Sequence, residues 1–297
     1  MGLSVLVTGA SGLLGSKVVE MALSKGYKVY SAYNEHQPLL GKPVKLDITD
    51  RTSVERVIYK LKPEVIIHAA AMTNVDKCEL EQNLALKVNY IGTANIAYAA
   101  RIIKAFLIYI STDYVFKGDK GLYKEDDATK PVNFYGYSKL KGEKAVKRIS
   151  NEYCIVRTSV LYGSKPARGK VNFALWLINK LKNNEIVKIV SDQFISPTLN
   201  TNLAQMLLEV AERKLTGIYH LAGASRVSRL DFAFELAKIC NLSKSLIHPA
   251  KMYDMNWVAR RPRDSSLNVS KALKILKNKP LVLHKALNRF KFELEGS

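Results

Sequence analysis

Short apolar runs alternate with helix-spaced patterns throughout the first half of the chain. The runs at 4–7, 28–32, 44–46, 65–67, 106–110 and 154–157 read as strands. Between them, apolar positions recurring every three or four residues predict helices over 13–24, 51–60, 80–103 and 137–150. Gly26 stands where a C-terminal cap would close the first helix, and Thr52, Ser53 and Glu55 resemble the start of the second. Such regular alternation implies crossover connections. The predicted fold class is therefore α/β, a doubly wound parallel sheet of Rossmann type with a second, smaller α/β domain.

After Gly163 the regularity lapses. A Gly/Lys-rich loop at 164–170 leads to an amphipathic helix over 172–183, a strand at 186–190 and a helix over 199–213. The expected division is a dinucleotide-binding domain from 1–163 plus about 186–216, and a discontinuous substrate domain from about 164–185 plus 217–297, with a cleft between them.

Composition narrows the class without choosing a function. At 297 residues, 47% apolar and 24% charged, the chain can bury a full-sized core, which excludes collagen, disorder and disulfide scaffolds. No apolar run approaches about eighteen residues, and Met1 leads into Val5-Leu6-Val7 without a basic region, so a cytoplasmic protein with no membrane partner is expected. Cys78, Cys154 and Cys240 have no metal-binding or redox spacing and read as reduced structural thiols. The net charge of +20 favours anionic partners of any kind. Lys271, Lys274, Lys277 and Lys279 are dispersed among apolar residues, which points to a solvated helix face and gives no expectation of nucleic-acid binding.

Chemistry first becomes visible at the junction of the first strand and helix. There Gly9, Ser11, Gly12, Leu13, Leu14 and Gly15 form a dinucleotide-binding turn in which Gly9 permits the bend, Gly12 admits the pyrophosphate and Gly15 lets the helix pack closely. The second strand ends in Ala32-Tyr33-Asn34, without the carboxylate that holds ribose hydroxyls in NAD enzymes; Glu35 follows about two residues late. This favours NADP(H), while NAD(H) stays open through Glu35.

Tyr135 and Lys139 lie four residues apart, hence on one helix face, where the ammonium is expected to lower the phenol pKa and make Tyr135 a proton donor and acceptor. Ser111-Thr112-Asp113 ends a strand and can bring a hydroxyl to the same place.

These segments, with His68-Ala69-Ala70-Ala71, Thr73, Val75-Asp76-Lys77, Glu79, Thr112-Asp113-Tyr114-Val115-Phe116, Gly142-Glu143, Arg157-Thr158-Ser159, Asp192-Gln193, Pro197-Thr198 and Arg261-Pro262, resemble the extended short-chain dehydrogenase/reductases and, within them, the dTDP-4-dehydrorhamnose reductase branch. The resemblance spans nearly the whole chain. It implies that Thr112 bonds the substrate carbonyl, that Tyr135 protonates the emerging alkoxide, and that Lys139 holds the nicotinamide ribose. It also implies that Tyr33, Asn34, Asp47, Ile48 and Ala69 to Ala71 border the cofactor, and that Asp113, Val160, Asn172 and Arg261 face a nucleotide-sugar substrate, Arg261 at its diphosphate. Val160 stands where bacterial reductases carry a tryptophan beside the sugar. The glutamates that bind magnesium between subunits in some members have no counterpart, so no metal is expected.

Other polar and aromatic residues have plainer readings. His68 reads as a packed histidine, Tyr114 and Tyr137 as cleft walls or core, and Trp176 and Trp257 as core. Asn172 either caps its helix or meets the nucleotide. The activity implied is NAD(P)H-dependent reduction of a 4-keto group on a dTDP-6-deoxyhexulose to dTDP-L-rhamnose; the oligomeric state, with a homodimer among the options, stays open. A nucleotide-sugar epimerase or dehydratase uses the same three residues, and the regulatory β subunit of methionine adenosyltransferase is similar in sequence without being catalytic.

Overall fold

The computed structural model describes residues 2–167 and 171–296, so part of the expected loop at 164–170 lies outside the described residues. The strands are β1 (Ser4–Thr8), β2 (Lys28–Tyr33), β3 (Lys42–Lys45), β4 (Val65–His68), β5 (Phe106–Thr112) and β6 (Tyr153–Thr158), then the short β7 (Leu161–Tyr162), β8 (Val187–Val190), β9 (Phe194–Ile195) and β10 (Thr198–Leu199), and finally β11 (Gly217–His220), β12 (Val227–Ser228) and β13 (Ile247–Ala250). Seven of them form one parallel sheet in the order β11-β6-β5-β4-β1-β2-β3. The order reverses direction between β1 and β4, and the crevice outside their carboxyl ends is where such sheets take ligands.

Both faces of the sheet are covered, because successive strand side chains point to opposite sides. Val5, Val7, Val65, Ile67, Phe106 and Ile108 pack against α1 (Leu13–Ser24), and α8 (Asn200–Arg213) completes that layer. Their neighbours Leu6, Ile66, Leu107, Tyr109 and Ile155 pack against α2 (Arg51–Leu61), α5 (Thr93–Ile102) and α6 (Phe134–Ile149). A separate core joins α7 (Phe173–Lys182), α9 (Arg229–Ile239) and α11 (Leu283–Glu295) through Leu177, Phe232, Leu236, Leu287 and Phe290.

The strongest patterns match their elements closely. Gly26, at φ +75°, closes α1 as expected. The cap of α2 is Asp50, which accepts from Ser53 N–H at 3.2 Å, rather than Thr52 or Ser53.

Other elements depart from expectation. The single helix predicted over 80–103 is a series: α3 (Val75–Leu80), α4 (Gln82–Leu86), a π-helical turn Lys87–Gly92, and α5. The widened turn swings Asn89 inward, where its side chain accepts from Met72 N–H at 2.8 Å and donates to Met72 O at 3.0 Å. Helix α6 starts at Phe134, earlier than the predicted 137, because Asn133 caps it by accepting from Gly136 N–H at 2.9 Å. β8, expected beside the large sheet, pairs with β13, while β11, expected in the smaller domain, is the sheet's edge beside β6. Val187 and Ile189 pack into the α7–α9 core, whereas Tyr219 packs with the α1–α8 layer. The last helices include α10 (Ser270–Ile275), whose Ala272, with Leu276 just past its end, covers that same layer.

Candidate active site

At the end of β1 the chain turns through Gly9 at φ +65°, a conformation closed to most side chains. A Cβ at Gly9 would lie 2.8 Å from Ala70 N, and one at Gly15 would lie 2.1 Å from Gly9 O. The turn, the start of α1 and the loop after β4 therefore interlock at backbone distance. Gly12 precedes α1 and no side chain caps the helix, so its first amides stay available to an anion.

The turn forms one end of a cleft of about 950 Å³ along the carboxyl edge of the sheet. Gly9, Ser11, Gly12, Leu13, Leu14 and Gly15 line it, joined by Tyr33, Asn34, Asp47, Ile48 and Ala69 to Ala71. Glu35 lines it as well. Toward the other end the wall contains Thr112, Asp113, Tyr135, Lys139, Val160 and Asn172. Asn172 caps α7 by accepting from Leu175 N–H at 3.3 Å and also lines the cleft. Val160 holds a φ of +27°, rare for a β-branched residue, and its carbonyl is fixed by Thr198 N–H at 3.0 Å.

Arg261 is the exception. It lies outside the lining residues, and both its Nη atoms grip Asp76 at 2.9 and 2.8 Å while the guanidinium rests on Trp257 at 5.2 Å. A carboxylate thus already engages both Nη groups of the residue that sequence reading offers to a diphosphate. Trp176, expected in the core, is exposed and stacks on Phe173 at 5.7 Å; Tyr137 is exposed too, whereas Tyr114 lines the cleft. Sequence reading missed Arg229, which lines the cleft from the first turn of α9. The available signal was Ser228 with Asp231 three residues on, a capping pair that marks a helix start.

The early start of α6 places Tyr135 in its first turn and Lys139 one turn later, facing the end of β5. Thr112 Oγ1 donates to Asp113 Oδ1 at 3.0 Å and lines the cleft with Tyr135. Desolvation pushes the Tyr135 pKa above its ordinary 10, with the neighbouring Thr112 hydroxyl opposing. The expected lowering by Lys139, whose ammonium lies over the Tyr109 ring at 4.2 Å, is outweighed by this burial. Burial instead pushes Lys139 itself down to about 7, with Glu143 and then Cys78 pulling the other way. A raised phenol stays protonated at neutral pH, which is the state a proton donor needs.

The surroundings are held by buried polar contacts. His68 is fully buried between Thr8 Oγ1 (2.7 Å) and Thr93 Oγ1 (3.1 Å), and burial pushes its pKa down to about 3, so it is the packed neutral histidine expected. Asn89 donates to Ser138 Oγ at 2.9 Å and ties the π-helical turn to α6. Asp113 accepts from Ser159 and Ser265 at 2.9 and 2.5 Å, and desolvation raises its pKa to about 6 against those bonds.

A hydroxyl pair, a buried ammonium and a phosphate-ready helix end in one cleft match a known family. The RmlD substrate binding domain matches residues 3–294. The chain belongs to that family. It is similar to a dTDP-4-dehydrorhamnose reductase of Aggregatibacter actinomycetemcomitans, 34% identical over 90% of this chain and 91% of that one. The methionine adenosyltransferase 2 subunit beta of Bos taurus is 32% identical over 90% of this chain and 80% of its own. Among solved structures, a dTDP-4-dehydrorhamnose reductase of Bacillus anthracis in complex with NADP superposes with a TM-score of 0.89 at 34% identity, covering 99% of this chain and 100% of that one. As an RmlD-family chain it has the Rossmann-like sheet that the sequence predicts.

Proposed function

We propose that the protein is an NADP(H)-dependent oxidoreductase that reduces the 4-keto group of a dTDP-6-deoxyhexulose to give dTDP-L-rhamnose. One observation carries the reading: Thr112, Tyr135 and Lys139 line the same cleft as the glycine turn. The residues suit a dinucleotide, since no side chain caps the first amides of α1, which stay clear for the pyrophosphate, and Lys139 stands within the cleft for the ribose. When bound, the dinucleotide supplies the hydride.

The chain's own task is to orient the carbonyl and deliver a proton. Tyr135, protonated at neutral pH, donates its phenolic hydrogen to the carbonyl oxygen as negative charge develops there. Thr112 stands in the same cleft wall to bond the substrate carbonyl, and Asp113 holds Thr112 in place. Lys139 supplies positive charge beside the pair, in a site dry enough for it to count. NADP(H) is favoured by the absence of a carboxylate at Tyr33-Asn34 and by the bacillary relative's complex; Glu35 in the cleft wall keeps NAD(H) open. The same reading places the α7–α9–α11 core in a substrate domain and the large sheet in a cofactor domain. A cytoplasmic location and a homodimer belong to it too, the latter drawing on exposed Leu80, Leu84 and Ile102.

The test is oxidation of NADPH and NADH, assayed in parallel, by dTDP-4-keto-6-deoxy-L-lyxo-hexulose. Stoichiometric oxidation is expected, with turnover falling about 100- to 10,000-fold in Tyr135→Phe. Substrate conversion without net oxidation would indicate an epimerase or dehydratase. The similarity to the methionine adenosyltransferase subunit favours a second, regulatory reading, which no oxidation with either cofactor would support.

A further inference from the structure

Arg226, Arg229 and Arg261 all belong to the C-terminal half, and they differ in what holds them. Arg226 is paired with Asp264 at 2.6 Å and Arg261 with Asp76 at 2.8 Å. Arg229 lines the cleft, and among the described residues no carboxylate pairs with it. It is nevertheless held firmly. Its backbone N–H donates to Gln193 O at 3.1 Å, and its Nε donates to Gln193 Oε1 at 2.5 Å. Gln193 is fully buried and anchored by its own Nε2, which donates to Pro262 O at 3.2 Å. The guanidinium sits 5.7 Å from the Phe173 ring.

This arrangement fixes one edge of the guanidinium and leaves the other free. Among the described residues neither Nη carries a hydrogen bond, so four N–H donors have no protein acceptor and no carboxylate neutralises the charge. The residue enters from the α7–α9–α11 core, not from the glycine-turn side. Its charge reaches the Tyr114 phenol, whose ring meets Tyr135 edge-on at 5.9 Å. An anion held there would therefore lie beyond the proton donor, away from the first amides of α1 that serve a dinucleotide's phosphates.

We propose that Arg229 binds the diphosphate of the nucleoside-diphosphate sugar, with both Nη groups on phosphate oxygens and Gln193 setting the guanidinium plane. The assignment rests on the nucleotide-sugar reading above and moves the diphosphate contact from Arg261 to Arg229. A planar fork with one edge pinned is suited to two phosphate oxygens at once, and lysine cannot reproduce that geometry.

Calorimetric titration of dTDP and of thymidine into the NADPH-loaded protein tests this. Arg229→Gln should weaken dTDP about 10- to 100-fold and leave thymidine unchanged, with Arg229→Lys in between. In turnover, KM for the nucleotide sugar should rise by the same factor while kcat and KM for NADPH stay within about threefold of wild type. Thermal melting confirms that each variant is folded, and the arginine-to-lysine variant, which keeps the charge, supplies the comparison if the glutamine variant is not. Unchanged dTDP affinity in a folded Arg229→Gln protein overturns the proposal, as does an equal loss of NADPH affinity, which would assign the residue to the cofactor. Wild-type protein that binds NADPH but neither dTDP nor another nucleoside diphosphate would instead bring down the nucleotide-sugar reading itself.

Discussion

Lys139 and Arg157 are both cations with 2% of their surface exposed, set into the same layer of the molecule, yet their surroundings are opposite. Arg157 grips Glu143 through Nε at 2.9 Å and Nη2 at 2.8 Å, donates to Glu125 O at 3.1 Å, and lies over Phe116 at 4.9 Å. Ser111 Oγ adds a further bond to Glu143 at 2.6 Å. Lys139, one turn before Glu143 on α6, makes no ion pair among the described residues and has only an aromatic face beneath it. Burying an unpartnered charge is unfavourable for folding, so the sequence keeps it for another purpose. The saturated cation ties β5, β6 and α6 together, and the unsaturated one faces the cleft.

Substitution should separate the two roles. Lys139→Met is expected to reduce turnover by about 100- to 10,000-fold while leaving stability unchanged or higher, as read from steady-state kinetics beside a denaturant melt. Glu143→Gln should do the reverse in kind: stranding a buried guanidinium is expected to remove about 3–5 kcal/mol of unfolding free energy. The pH response sharpens the contrast. With its folded pKa near 7 and its ordinary value at 10.5, Lys139 binds fewer protons folded than unfolded across that interval. Stability should therefore climb as pH rises above about 7 and be lost as pH falls back through it, with a limiting slope of about 1.4 kcal/mol per pH unit that is absent from Lys139→Met. The smallest effect belongs to Arg261→Gln, whose pair with Asp76 is partly open to water. About 1 kcal/mol of stability should be lost, with KM for the nucleotide sugar unchanged, in contrast to Arg229→Gln.

How far each part was legible depends on how local its physics is. The glycine turn, Tyr135 and Lys139 lie within single short segments, where spacing alone fixes the relation of one residue to the next. The alternating strands were legible for the same reason. Arg261 and Arg229 could not be ranked from the chain, because what distinguishes them is a partner 185 residues away in Asp76 and a buried amide 36 residues away in Gln193. The swapped places of β8 and β11 have the same origin, since strand identity is local and strand pairing is not. The direction of the Tyr135 shift failed because proximity in sequence gave a charge but not the solvent it displaces.

The backbone contacts around Gly9, Gly15 and Ala70 leave no space for even a methyl group. Gly9 and Gly15 are consequently closed to any larger residue, so descendants of this chain can diversify more readily in the opposite wall around Val160 and Phe173, with Arg229 kept. A library meant to change which sugar is accepted should hold the first loop constant and randomise that wall, since variation there alters the guest without disturbing the dinucleotide's seat.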